Sequence, residues 1–241
     1  MKIYSKTDVG RKREVNQDAF YVGEFDNGAA FVIVCDGMGG AKSGNVASEK
    51  AAAVISEYIV KSYSPKMSSV AVENMLRAAV QSANCEVYEL AQTSTDYEGM
   101  GTTAVVALIA DNLVHIVHVG DSRAYLVNNT DVEQLTIDHS VVQAMVNKGE
   151  ISAEEAKIHP RKNIITRAVG TETDVMCDYS IVLKPENATL LVCTDGLSNL
   201  VDEKTIFETV KNTPQELCAE ALVSKANEAG GLDNITAVLV Y

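Results

Sequence analysis

Residues 31–40 read FVIVCDGMGG, an apolar run rich in β-branched residues that drives into Asp36, after which three of the next four positions are glycine. Such a run, closed by glycines, predicts a buried strand that ends at a turn. Asp-Gly alone marks nothing more than that turn. Phosphate-binding loops also follow strands with glycine, but neither familiar pattern is present. The Gly-Lys-Ser/Thr ending of a P-loop is missing, and so is Gly-x-Gly-x-x-Gly with an acidic residue about 20 positions on. A carboxylate at the mouth of a buried strand therefore has to be read with the rest of the chain.

Outward from this stretch, residues 2–8 and 29–35 read as strands and 46–63 as a helix. A second helix follows Pro65, with Leu76, Ala79, Val80, Ala83, Val87 and Leu90 on one apolar stripe and Arg77, Glu86 and Glu89 off it. Residues 102–110 and 113–119 form a hairpin about Asp111-Asn112, and a further hairpin turns at 128–131. Strands at about 175–183 and 188–194, helices at about 201–211 and 214–229, and a strand at 234–240 complete the pattern. Strands in hairpins, with helices grouped in blocks, predict an α+β fold rather than a doubly wound parallel sheet. Two helices in each half would cover two packed antiparallel sheets, a four-layer αββα sandwich. Residues 138–170 stand apart as an inserted flap: a helix over 141–148 closed by Gly149, then one capped by Ser152 with Glu155 and ended at His159-Pro160. Helix, turn, helix also resembles a DNA reader, but neither helix is basic.

At 241 residues and 46% hydrophobic, the chain predicts one domain spanning 1–241. Five cysteines without a Cys-x-x-Cys pair argue for reduced thiols and a cytoplasmic protein, not a disulfide frame. Nor do the histidines suggest zinc, because His115 and His118 lie three apart in a strand and face opposite sides. A net charge of −13 excludes nucleic acid and anionic membranes as partners but suits divalent cations. No apolar run is long enough to insert in a membrane.

Asp36 has companions. Asp195-Gly196 ends another β-branched run in LLVCTDG, Asp121 follows a strand in VHVGDS, Asp233-Asn234 opens the last strand, and Asp18 starts the strand of NQDAFYV. If those strand ends converge, they form a carboxylate cluster. Carboxylates within about 4–6 Å of one another cannot all stay ionised unless cations hold them. All-oxygen ligands select hard ions such as Mg²⁺ or Mn²⁺. The glycines would then let backbone approach the metal and offer a carbonyl.

The ordered series Gly10-x-x-Arg13-x-x-Asn16-Gln17-Asp18, Asp36-Gly37-Met38-Gly39-Gly40, Gly99-Met100-Gly101-Thr102-Thr103, Val119-Gly120-Asp121-Ser122-Arg123, Asp195-Gly196-Leu197-Ser198 and Asp233-Asn234-Ile235-Thr236 resembles the metal-dependent Ser/Thr phosphatases of type 2C. It most resembles their small stand-alone bacterial members, and the motifs cover essentially the whole chain. The resemblance implies the αββα sandwich with two metal ions at one end of the sheets. Asp36 would bridge both ions, and Gly37 would give its carbonyl to one. Asp195 and Asp233 would bind the other, and Asp18 would hold metal-bound water. Arg13 would grip the substrate phosphate, since a guanidinium fork matches phosphate oxygens. A hydroxide bridging the ions would attack phosphorus in line, without a phosphoenzyme.

Two departures from the family pattern matter. Eukaryotic relatives carry a histidine proposed as general acid where this chain has Met38. Bacterial relatives bind a weaker third ion through the positions of Asp121 and Asp195, and many have Asp at the place of Asn199, which implies a weaker third site here. Asp138 reads as a lesser ligand or as the N-cap of the flap helix. The resemblance further implies phosphorylated proteins as substrates, a cognate Ser/Thr kinase as partner, and a monomer. Competing readings are a phosphopeptide-binding scaffold on the same fold and a hydrolase of small phosphate esters.

Overall fold

The computed structural model describes residues 1–39 and 43–241, so Gly40 of the opening stretch lies outside the described residues. One sheet carries, side by side, β1 (Ile3–Asp8), β11 (Ile235–Val240), β10 (Thr189–Cys193), β7 (Arg123–Val127) and β8 (Val132–Gln134). The other carries β2 (Asp18–Glu24), β3 (Ala30–Met38), β5 (Ala104–Ala110), β6 (Leu113–Val119) and β9 (Asp178–Leu183), with the two-residue β4 (Gly101–Thr102) beside the end of β3. All these pairings are antiparallel.

Three apolar layers result, and the period-2 alternation of the strands assigns residues to them. Phe31, Ile33 and Cys35 of β3, with Val106 and Leu108 of β5, pack under α1 (Gly44–Ser62) and α2 (Ser69–Ala91). Leu191 and Cys193 of β10, with Ala237 and Leu239 of β11, pack under α6 (Glu203–Asn212) and α7 (Gln215–Glu228). Between the sheets lie Val32, Val34, Val105, Ala107, Ile116, Leu190, Val192, Val238 and Val240. The FVIVC run is apolar throughout because both of its faces are covered.

The same alternation places the site. Asp36 continues the Val32–Val34 face of β3, Thr236 continues the Val240–Val238 face of β11, and Thr194 continues the Leu190–Val192 face of β10. Asp18 lies directly across from Asp36 in the β2–β3 register. At one end of the inter-sheet layer, valine and leucine thus give way to carboxylates and hydroxyls.

The hairpin at Asp111-Asn112 forms with both residues at positive φ, 50° and 63°, as a two-residue turn of matching twist requires. The flap helices are α3 (Val141–Asn147) and α4 (Ala153–Ile158), the latter closed by the Ser152–Glu155 capping box. Several expectations shift. The long run at 102–110 splits into β4 and β5, and α2 starts only at Ser69, behind its cap Ser68. The strand expected from about 175 begins at Asp178, because residues 170–175 are drawn onto α2 instead. Asn84, fully buried mid-helix, accepts from Gly170 N at 2.7 Å and donates to the Glu172 and Thr173 carbonyls at 3.0 and 3.1 Å. Gln81 reaches the Thr173 carbonyl and Asp174 Oδ1.

Asn84→Ala would strand the buried Gly170 N–H and two carbonyls while improving helix propensity. It should cost about 2–3 kcal/mol of stability, read as a lower urea midpoint at unchanged slope. A loss under about 0.5 kcal/mol would mean that the 170–173 segment is held by something else.

Candidate metal centre

A cavity of about 750 Å³ opens at this polar end of the sandwich, lined among others by Arg13, Asp36, Gly37, Met38, Thr103, Asp121, Asp195 and Asp233. Of the seven predicted site residues only Asp18 is absent from its lining; it sits behind the wall, across from Asp36. The strand-end expectation needs one correction: β3 runs on to Met38, so Asp36 lies inside its strand. Asp121 lies between β6 and β7, Asp195 is the first residue of the one-turn helix α5 (Asp195–Ser198), and Asp233 precedes β11.

The backbone around Asp36 is held by threonines. Its N–H donates to Thr103 Oγ1 at 2.9 Å, and its carbonyl accepts from Thr102 Oγ1 and Thr103 N, both at 2.8 Å. Thr103 Oγ1 also meets Ser122 Oγ at 2.7 Å, which ties the Asp121 turn to the same strand end. Asp18 Oδ2 accepts from Thr194 Oγ1 at 2.9 Å and Thr236 Oγ1 at 2.7 Å. The loop bearing Arg13 is pinned by Asn234, whose amide donates to the Val9 and Val15 carbonyls and whose Oδ1 accepts from Gln17 N at 2.8 Å. Arg13 lies exposed at the mouth and donates to Asp233 Oδ2 at 2.8 Å. Asn199 donates to Asp195 Oδ2 at 2.9 Å. Gly37 has a steric reason as well as the expected one, since a Cβ there would overlap the Gly44 carbonyl.

The carboxyls are under strain of charge. Asp18 is pushed up to about 7, by burial first and then by Asp195 and Asp233, against the pull of its two threonine hydroxyls. Burial, then Asp195, lifts Asp121 to about 8; burial, then Asp233, lifts Asp195 to about 6. Asp36 is raised well above the ordinary carboxylate range by burial and by the charges of Asp18, Asp195, Asp121 and Asp233. Oδ1 of Asp18 and Oδ1 of Asp195 are shut off from solvent and accept no hydrogen bond among the described residues. Orphaned carboxylate oxygens that repel one another, beside a cavity with no thiol or imidazole among its described lining residues, fit hard divalent cations.

Asp138 is not the cap of the flap helix, and its carboxylate is already engaged. Arg123 grips it through both carboxylate oxygens, at 2.8 and 2.7 Å, and Ser140 caps α3. The histidine expectation stands only for His115 and His118, which face apart. His118 stacks on His139 with ring centroids 4.7 Å apart, and Asp178 lies 3.2 Å from His139 Nε2. That trio does not suit a metal as it stands. His139 Nδ1 accepts the Gly120 N–H at 3.2 Å, so Nε2 carries the proton in the neutral ring, and the Arg167 guanidinium already pairs with Asp178 at 2.8 Å. Thr102, Thr103, Thr194, Thr236 and Asn234 are the supporting residues that sequence reasoning missed. All five lie inside the sequence stretches that carry the aspartates or the family motifs, which was the available signal.

Two antiparallel sheets between helix pairs, with a carboxylate cluster at one end of the inter-sheet layer, define an αββα protein built to hold divalent metal. Residues 9–227 match the protein phosphatase 2C family, and the chain belongs to it. It is 44% identical to the serine/threonine phosphatase stp of Listeria monocytogenes over 237 residues, 98% of this chain and 93% of the relative. Its fold is that of the Streptococcus agalactiae serine/threonine phosphatase, at 35% identity and TM-score 0.92, covering 100% of this chain and 98% of the other. The catalytic domain of the serine/threonine phosphatase PstP, solved in complex with 2 manganese ions, is 31% identical at TM-score 0.86, covering 99% and 96%.

The raised carboxyls set a pH dependence for the metal-free protein. Groups whose folded values lie above the unfolded value of about 3.9 favour the fold at low pH and lose that contribution as pH rises through the folded values. With Asp195 near 6, Asp18 near 7 and Asp121 near 8, the melting temperature in EDTA should fall between pH 5.5 and 8.5. Excess Mg²⁺ or Mn²⁺ should restore it at pH 8.5, and Asp36→Asn in EDTA should melt higher than wild type there. A melting temperature in EDTA that is flat across this range would show that the carboxyls do not repel one another as described.

Proposed function

We propose that the chain hydrolyses phosphoserine and phosphothreonine in proteins, with Mn²⁺ or Mg²⁺ held at the carboxylate cluster. The observation that carries this reading is the cluster itself: aspartates gathered at one cavity, with Asp18, Asp36, Asp121 and Asp195 raised by burial and by neighbouring carboxylates, orphaned oxygens on Asp18 and Asp195, and Arg13 at the mouth. Asp36 would be shared by two ions, with the Gly37 carbonyl on one and Asp195 and Asp233 on the other. Asp18 would hold ordered water from behind, and Asp121 with Asp195 would take a weaker third ion. When bound, the ions neutralise the phosphate dianion and make water nucleophilic near neutral pH.

The chain's own residues supply the rest. Arg13 has five N–H donors, of which one meets Asp233, so others remain to orient phosphate oxygens. Met38 lines the cavity and cannot donate a proton to the leaving alkoxide. A thiol nucleophile is disfavoured: Cys35 and Cys193 are fully buried, burial pushes both thiols up, Cys193 to about 12, and no cysteine is among the described residues that line the cavity. Residues 1–241 would act as one catalytic domain and as a monomer, with residues 138–170 as the flap. Its substrates would come from a Ser/Thr protein kinase. The chain has no helix, among the described residues, long and apolar enough to cross a membrane.

The test is phosphate release from a phosphothreonine peptide in EDTA, Mg²⁺ or Mn²⁺. Turnover should require the metal, and Asp36→Asn should abolish it, because an amide cannot supply the charge that two ions share. Metal-independent turnover, or an active Asp36→Asn protein at saturating Mn²⁺, would overturn the reading.

Arg13→Ala should lower kcat/KM for the same peptide by roughly 10- to 100-fold, the range of a charge-assisted hydrogen bond. Arg13→Lys should recover only part, since it keeps the charge without the fork. Wild-type kcat/KM in Arg13→Ala would remove Arg13 from phosphate binding.

A further inference from the structure

The candidate active-site cavity does not end at the metal cluster. A second hollow of about 540 Å³ shares Met38 and Ile165 with it and runs on between Arg167–Ala168 and Val175–Met176. Its floor is apolar at Met38, Ile165, Ala168 and Val175, and Met176 stands 73% exposed at its far end. Its outer rim is acidic: Glu172 and Asp174 both line it, both are exposed, and neither forms an ion pair among the described residues. Among the described residues the one cation in the lining, Arg167, is already engaged by Asp178 at 2.8 Å.

The groove is built, not a gap beside a loose loop. Its outer wall is tied to α2 by Asn84 and Gln81 through the Gly170, Glu172, Thr173 and Asp174 contacts described above. Its inner wall is tied to β4 by paired bonds between Thr102 and Val169, at 3.0 and 2.8 Å. A preformed apolar trough with a charged lip, continuous with a reaction cavity, is the form of a site that selects by side chain.

We propose that this groove is a specificity subsite for the phosphoprotein substrate, taking an apolar side chain beside the phosphorylated residue over Met38, Ile165 and Met176, and a Lys or Arg beyond it against Glu172 and Asp174. The inference rests on the phosphatase reading and deepens it. The groove begins at Met38, two positions along β3 from Asp36, so residues flanking the phosphoamino acid reach it first. The rim carboxylates add attraction for cationic flanks and oppose acidic ones, and such rim charges set selectivity more than total affinity.

The experiment compares kcat/KM for matched phosphothreonine peptides in the Mn²⁺-loaded protein, with p-nitrophenyl phosphate as a reference too small to fill the groove. Peptides carry Leu or Ser near the phosphothreonine, and Lys or Glu beyond it, on either side. Wild type should prefer the Leu/Lys peptide. The double variant Glu172→Lys/Asp174→Lys should shift the Lys-over-Glu preference by about tenfold toward Glu, and the shift should shrink at high salt. Met176→Ser should narrow the Leu-over-Ser preference by a few fold, each rate taken relative to the aryl phosphate. Wild-type indifference to flanking residues, or a preference unmoved by the charge reversal, would overturn the subsite. Peptide and aryl rates falling together at constant preference would do the same. Absence of metal-dependent turnover on every substrate would instead defeat the phosphatase reading, and the subsite with it.

Discussion

Repulsion between carboxylates that the fold forces together is the constraint on which the rest of this structure depends. Asp18 and Asp36 stand opposite each other across β2 and β3, and Asp195, Asp121 and Asp233 complete the cluster. Two like charges about 5 Å apart cost roughly 3 kcal/mol at an effective dielectric of 20. Flexible loops would relax that strain by swinging apart. Here Asp36 lies in a strand covered on both faces by apolar layers, and Asp18 is paired with it from β2. Asp121, Asp195 and Asp233 sit on short connections anchored at strand ends, so the cluster cannot simply swing apart. That arrangement explains why the most hydrophobic segment of the chain and the most charged point of the fold are neighbours.

Much of this was legible because the relevant rule is local. A period-2 strand decides, from its own residues, that Val32, Val34 and Asp36 share one face, and positive-φ residues at Asp111-Asn112 decide the hairpin. What was not legible depends on partners far apart in the chain. The clamp on Asp36 comes from Thr102 and Thr103, more than sixty residues away, and the hydroxyls that hold Asp18 come from Thr194 and Thr236, about two hundred away. A threonine in a strand is unremarkable by propensity, and only the packing of two sheets turns it into a hydrogen-bond donor for a carboxylate. Asp138 failed for the same reason: its local context offers a cap, and the tertiary context offers Arg123, whose bidentate bonds win.

The glycines show how one residue can answer two demands. The carbonyl reading of Gly37 concerns what the backbone can reach, while its missing Cβ concerns what the backbone must pass, namely the Gly44 carbonyl at the start of α1. Gly196 is held to the same standard, because a Cβ there would overlap the Asn234 carbonyl beside Asp233. At Gly196 this close approach brings the Asp195 and Asp233 segments, proposed as metal ligands, together, and at Gly37 it seats the end of β3 against α1, so packing and the proposed function make the same demand.

A protein of net charge −13 that acts on phosphate dianions faces repulsion at long range before any contact forms. Cations held in the cluster, with Arg13 at its mouth, would reverse the sign locally, but they would do so for any phosphate monoester alike. Discrimination among phosphoproteins therefore has to come from surfaces that the phosphate does not touch. The acidic rim at Glu172 and Asp174 uses the overall negative charge instead of opposing it, by favouring chains whose flanking residues are basic. Separating a sign-reversed centre from a sign-preserving rim lets one fold attract the anion it cleaves and select the polypeptide that carries it.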